Sequence, residues 1–226
     1  MNSFRRHRAF TLIELLVVIG LIALIAGGLG LALGRGDGGM AMQNGQAILA
    51  STLSNVKSVA ALNQANAGLY LNVDPDSDGF LRELRIAFVP TTDINGNAIP
   101  IVNTFRIQRG DPTFLPRGVF VVPRDGSLGS GVSFTGTWTD RKSTLHIATS
   151  VPIKLPDRST DLPGTFHLLM DFNSRGIPQL PGNRIVLAPA LAEAGQDLVF
   201  DRPDAVRAII VSRYGLVSPV NDSSSL

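Results

Sequence analysis

The chain has no cysteine among its 226 residues. That excludes disulfides, thiolate catalysis and cysteine-ligated zinc, and leaves any exported part to be stabilised by its own core. Hydrophobic residues make up 44% of the sequence, enough to build one. Catalytic constellations are missing as well. There is no Gly-x-Ser-x-Gly elbow, and "GSLGSG" (Gly126–Gly131) lacks the lysine and the following helix of a phosphate loop, so it reads as a turn. His146 and His167 stand alone in apolar strand patterns, without an H-x-x-x-H spacing, and read as structural residues. The only tryptophan, Trp138, reads as a core anchor. No internal repeat or low-complexity linker is present. These absences call for neither an enzyme nor a resident cofactor.

What the chain does have is a long apolar run near its start. Phe10 to Leu33 is 24 residues, and a helix of that length spans roughly 36 Å, enough to cross a hydrocarbon core of about 30 Å. A cleaved secretory signal would offer only about 7–15 apolar residues with a small-residue junction after them. Here the small residue, Ala9, lies before the run. Arg5, Arg6 and Arg8 precede it and no comparable cluster follows closely, so the N-terminus is expected in the cytoplasm and the 193 residues after Leu33 outside.

One acid, Glu14, interrupts the run. An ionised carboxylate at the centre of a membrane helix costs on the order of 2.5–3.5 kcal/mol even on lenient insertion scales, so it implies a function and a partner. No Lys, Arg or His lies between Glu14 and Leu33, so the cation must come from elsewhere. Cutting the chain between Ala9 and Phe10 would create one, the α-amino group of Phe10. The alternative is an uncleaved signal anchor with a stray acid.

The basic leader, Ala9 and then Phe10-Thr11-Leu12-Ile13-Glu14-Leu15-Leu16-Val17-Val18 resemble the processing signal of type IV prepilins and type II secretion pseudopilins. The sequence departs from the family at Ala9, where glycine is more usual. The resemblance implies cleavage before Phe10 by a prepilin peptidase, N-methylation of Phe10, and assembly of the mature helices into a filament. In that filament Glu14, the fifth mature residue, faces the terminal amine of an adjacent subunit. Cleavage also removes a misleading charge. The sequence pI is near 9.4, but losing three arginines from 20 basic residues leaves 17 against 18 acidic ones, so nucleic acid is not an expected partner.

Gly27, Gly28, Gly30 and Gly34 weaken the distal half of the run by about 1 kcal/mol each relative to alanine, either to permit extension or to aid close helix packing. "GRGDGG" (Gly34–Gly39) reads as a break or hinge. Helical periodicity resumes from Met40 to Asn66: Leu49, Leu53, Val56 and Ala60 form an apolar stripe, widened by Ile48, Thr52 and Val59, with Gln46, Ser51, Asn55 and Ser58 among the polar positions. Beyond Gly68, β-branched and aromatic clusters separated by Gly, Pro and Asp read as short antiparallel strands: "GLYLNV", "LRELRIAFV", "NTFRIQR", "GVFVV", "VSFTGTW", "LHIATSVPI", "TFHLLMDF", "NRIVLAP" and "AVRAIIVS". Within the family, "LSNVKSVAALNQANAGLYLNV", "MDFNSRGIP" and "AVRAIIVSRYGLVS" look most like H-type minor pseudopilins, the GspH/FimT group. The segment from Pro90 to Pro163 has no counterpart there.

"DPDSDGFLRELR" is the one candidate metal motif. Asp74, Asp76 and Asp78 with Gly79 resemble the first half of a calcium loop. The bidentate acid expected at the twelfth position is replaced by Arg85, although Glu83 lies two residues earlier. The same residues equally encode a solvated Asp-Gly hairpin turn.

The fold expected is α+β: a membrane-spanning helix continuing, with a Gly-rich break, into an amphipathic stem helix packed on an antiparallel β-sheet domain. Its segments are a cleaved leader (1–9), a membrane and filament-core helix (10–33), the break (34–39), the stem (40–66), a periplasmic β-rich domain (67–217) and a flexible tail (218–226). The resemblance implies a single-pass inner-membrane subunit of a type II secretion pseudopilus or type IV pilus. Its partners would be prepilin peptidase, other pilins or pseudopilins and the inner-membrane assembly platform. The alternative is a minor pilin that serves as a binding module for a surface, cargo or DNA.

Overall fold

The structure is a computed structural model and describes residues 12–90, 106–124, 131–138, 141–143, 152–157, 159–179, 183–191 and 197–221. Helix α1 runs from Leu12 to Asn63. It contributes to two compact units, Met1–Met40 and Ala41–Leu226. The helix is continuous through Gly34–Gly39, where a break was expected. Glycine raises the cost of a helical turn, but helical dihedrals are open to it, so a Gly-rich stretch need not interrupt the hydrogen-bond ladder.

In the first unit, the described side chains Leu16, Val17, Val18 and Ile19 are 64%, 54%, 45% and 59% exposed. Among the described residues no helix is long and apolar enough to cross a membrane. Most side chains of the Phe10–Leu33 run lie outside that set.

In the second unit the expected stripe is the buried face of α1. Leu49, Leu53, Val56 and Ala60 are fully buried, Val59 and Thr52 are buried beside them, and Ile48 packs against the same core. Ser51, Asn55 and Ser58 are exposed as expected, but Gln46 is buried. With Met42 it extends the stripe backwards at the same three-and-four spacing, and its Nε2 donates to the Ala208 and Val220 carbonyls at 2.8 and 3.1 Å. The helix stops at Asn63, three residues before the expected end. Gln64 adopts φ 49°, and the Ala65 and Gln64 amides donate back to the Ala60 and Ala61 carbonyls at 3.1 and 3.2 Å. This is a Schellman cap with glutamine in the place glycine usually fills.

Twelve strands follow among the described residues: β1 (Ala67–Asn72), β2 (Glu83–Phe88), β3 (Arg106–Gln108), β4 (Thr113–Phe114), β5 (Val119–Val121), β6 (Val132–Phe134), β7 (Ile153–Lys154), β8 (Phe166–Phe172), β9 (Asn183–Pro189), β10 (Leu198–Phe200), β11 (Arg207–Val211) and β12 (Val217–Val220). One sheet has the order β7-β3-β2-β1-β8 with β4 also paired to β2, a second has the order β12-β11-β9-β5, and β10 pairs with β6. Most pairings are antiparallel, as expected, but β3 with β7 and β6 with β10 are parallel. β12 starts at Val217 and pairs with β11 through Val220, so residues 218–220 of the expected tail belong to a sheet.

The core lies between the α1 stripe and the two larger sheets, joining Leu69, Leu71, Ile86, Met170 and Phe172 to Val121, Ile185, Leu187 and Ile209. Trp138 is buried, as expected. Its ring meets Phe134 and Phe200 at 5.4 and 5.7 Å between centroids, and its Nε1 donates to the Thr135 carbonyl at 3.0 Å.

Candidate functional site

The residues expected to carry function are at the two ends of the argument from sequence: the N-terminal motif and the acidic turn. Ala9 and Phe10 lie outside the described residues. Glu14 belongs to α1, with its side chain outside them. The four residues that follow it closely are informative. Successive helical residues are about 100° apart, so Leu16 to Ile19 point to every side of α1. All four are apolar and exposed in the single chain. A helix apolar all round is stable only when lipid or other helices cover it.

The acidic turn between β1 and β2 is built by local hydrogen bonds. The Asn72 carboxamide oxygen accepts from the Asp74 amide at 2.9 Å, the Asp74 carboxylate from the Asp76 amide at 3.2 Å, and the Ser77 hydroxyl from the Gly79 amide at 3.1 Å. Asp76 and Asp78 are exposed and Asp74 is half-buried. Among the described residues no group of three or more His, Asp or Glu side chains is gathered as a metal ion would need. Glu83, the acid that might have completed a calcium loop, is committed elsewhere. It is buried, accepts from Asn72 Nδ2 at 2.9 Å and pairs with Arg85. A Cβ at Gly79 would fall 2.5 Å from the Glu83 carboxylate, so glycine is needed there for close approach to Glu83. The role these residues visibly perform is that of a structured turn.

A polar group that sequence reasoning missed lies on the face of the first sheet turned away from α1. Tyr70 of β1 is buried, which pushes its hydroxyl up to about 12 against the lowering influence of the Arg106 charge. Burial also pushes the Asp171 carboxyl of β8 up to about 6, opposed by Arg106 and by the Phe172 amide. Between about pH 4 and 6 the folded protein therefore binds a proton on Asp171 that the unfolded chain releases, and stability falls as pH rises through that window. Asp171→Asn is expected to stabilise the protein at pH 7.5 by on the order of 2 kcal/mol and to change little at pH 4. Urea unfolding at both values checks this; an equal effect at the two would contradict it. His167 is half-buried with its pKa lowered by burial, and its buried Nδ1 has no hydrogen-bond partner among the described residues, whereas a satisfied structural histidine was expected. His146 lies outside the described residues.

With this geometry in place, the family model for the prokaryotic N-terminal methylation motif matches residues 4–30. The chain carries a prepilin-type methylation motif. The match takes in the basic leader, Ala9, Phe10 and Glu14, the residues on which the resemblance was read. No curated protein matches the chain. Two structures of the minor pseudopilin EpsH from the type 2 secretion system of Vibrio cholerae are similar to it at 11% and 13% identity. They cover 80% of this chain in each case and 96% and 94% of theirs, with TM-scores of 0.39 and 0.37. The type IV minor pilin FimU of Pseudomonas aeruginosa is similar at 12% identity, covering 81% of this chain and 90% of its own, with a TM-score of 0.36. All three scores lie below 0.5, so a functional reading must rest on the methylation motif and the chemistry around it.

Proposed function

We propose that this chain is a structural subunit of a type II secretion pseudopilus or type IV pilus, anchored in the inner membrane by α1 until the assembly platform extracts it. The observation that carries this reading is the methylation motif at residues 4–30, which sets Glu14, the fifth residue of the processed chain, in the otherwise apolar run Phe10–Leu33. Prepilin peptidase cuts between Ala9 and Phe10, the new terminus is methylated, and the periplasmic domain remains tethered by a single span. In the membrane, lipid covers the apolar surface of α1. In the filament, neighbouring helices replace that lipid, and the Phe10 amine of one subunit supplies the counter-charge for Glu14 of the next. Because hydrocarbon and packed helices are similarly apolar, exchange between them costs little apart from the charges. The Glu14–amine pair therefore selects the assembled register. The subunit acts by assembly, with no catalytic step.

The test is recovery of the full chain from cells that have an active filament machinery. The processed chain is expected in the sheared filament fraction, and only when prepilin peptidase is active. A processed chain that stays wholly in the membrane fraction when filaments are abundant would contradict the proposal.

A further inference from the structure

The first sheet has chemically opposite ends. β8 runs antiparallel to β1, with Ala67 opposite Phe172 and Asn72 opposite Phe166. The acidic turn that leaves β1 is therefore at one end of the sheet, and the turn that leaves β8 is at the other. At that second end Asn173 holds the turn closed, its side-chain oxygen accepting from the Arg175 and Ile177 amides at 2.9 and 3.1 Å. The hairpin between β11 and β12 meets it there. Ser212 Oγ accepts from the Leu216 amide at 3.1 Å, and Gly215, at φ 74°, comes so close that a Cβ would lie 2.5 Å from the Gly176 carbonyl oxygen. Lys57 of α1 ties the two turns together by donating to the Gly215 carbonyl at 2.8 Å.

This junction presents one surface. Ile177, Tyr214 and Leu216 are 42%, 65% and 64% exposed, and the exposed Arg213 guanidinium lies over the Tyr214 ring, 4.7 Å from its centroid. Arg175 is exposed beside them, and neither turn, 173–177 or 212–216, contains an acid. The opposite turn is the complement, with Asp74, Asp76 and Asp78 around an exposed Pro75. Among the described residues none of these three carboxylates is in an ion pair, and neither Arg175 nor Arg213 is. Placed at opposite ends of a sheet, the two surfaces do not meet within one chain.

We infer that the basic and apolar junction around Arg213 and Tyr214 receives the acidic turn of a second copy of this chain. The inference deepens the proposed function and rests on it for the setting in which copies meet. A contact between two different patches is heterologous, so each copy in a pair keeps one free end, and wherever the rotation does not close a ring further copies add in the open row that a filament requires. The arginines face the aspartates, and Pro75 covers part of the exposed apolar surface. Complementary charge fixes register and excludes the reversed orientation, which would set arginine against arginine.

The absence of cysteine makes the contact directly testable in the full-length protein. Asp76→Cys and Tyr214→Cys chains, differently tagged, are expressed together, and their membranes are oxidised. Mixed-tag disulfide dimers are expected well above same-site dimers, and a chain with both substitutions is expected to give a ladder. Adding Arg213→Glu to the Tyr214→Cys chain is expected to lower the mixed dimer roughly fivefold, and Asp78→Lys on the other chain to restore it. Mixed dimers no more abundant than same-site ones, or yields indifferent to charge reversal, overturn the contact. Processing at Phe10, read in the same membranes, reports separately on the filament reading: processed chains without the cross-link would overturn this contact and leave that reading standing.

Discussion

Replacing Glu14 with glutamine is expected to leave the chain in the membrane and to remove it from the filament. Insertion should be undisturbed or improved, because an uncharged side chain is less costly in hydrocarbon than a carboxylate. Cleavage should be largely retained, since the cut lies upstream of the substituted residue. Assembly should fail, because the Phe10 amine of the neighbour would then sit without its counter-charge among packed apolar helices. Removing one member of a buried pair costs about 3–5 kcal/mol, a loss of at least a hundredfold in the equilibrium for docking a subunit. Cross-linking of the mature subunit into filament complexes, compared with wild type at equal membrane levels, measures this. Undiminished cross-linking by the Gln variant would show that Glu14 does not act through this pair.

The second large effect is expected in the Ala41–Leu226 unit. Leu53 is fully buried at the middle of the α1 stripe, in the core that joins the helix to both larger sheets. Leu53→Ala should destabilise the protein by about 2–5 kcal/mol, from lost burial and from a cavity that rigid sheets cannot fill. Ser54→Ala, one residue along on the exposed face, removes only a hydroxyl bonded within the helix and should change stability by about 0.5 kcal/mol or less. Urea unfolding of the two variants side by side separates the outcomes. A Leu53→Ala protein as stable as Ser54→Ala would mean that the stem helix is not packed as described.

The stem was legible because its evidence is periodic. Leu49, Leu53, Val56 and Ala60 repeat at helical spacing, and burial follows the repeat. Gln46 sits on the same stripe but reads as polar; only the fold reveals that two strand carbonyls, Ala208 and Val220, await its side chain. The helix end was misplaced because its cap residue is Gln64, whereas glycine is the usual signal of a left-handed residue. Most strands could be read from β-branched clusters. β10 is only three residues long, and β12 carries Ser218 and Pro219, so its composition resembles a tail although its backbone pairs with β11. Pairing partners are not written in local composition, and the two parallel pairs were missed for that reason. Tyr70 and Asp171 were also invisible. Each looks like an ordinary strand residue until the register sets β1 beside β8 and burial shifts both groups. The N-terminal motif is the opposite case. Its pattern is local, the small Ala9 before Phe10 and the acid Glu14 soon after, so the sequence alone reveals the motif that the family model matches.

The most direct measurement of the central claim is intact mass and N-terminal sequencing of the full chain extracted from membranes of a host with active prepilin peptidase. The account predicts a chain that begins at Phe10 and carries an N-methyl group. A chain that still begins at Met1 in that host would contradict it.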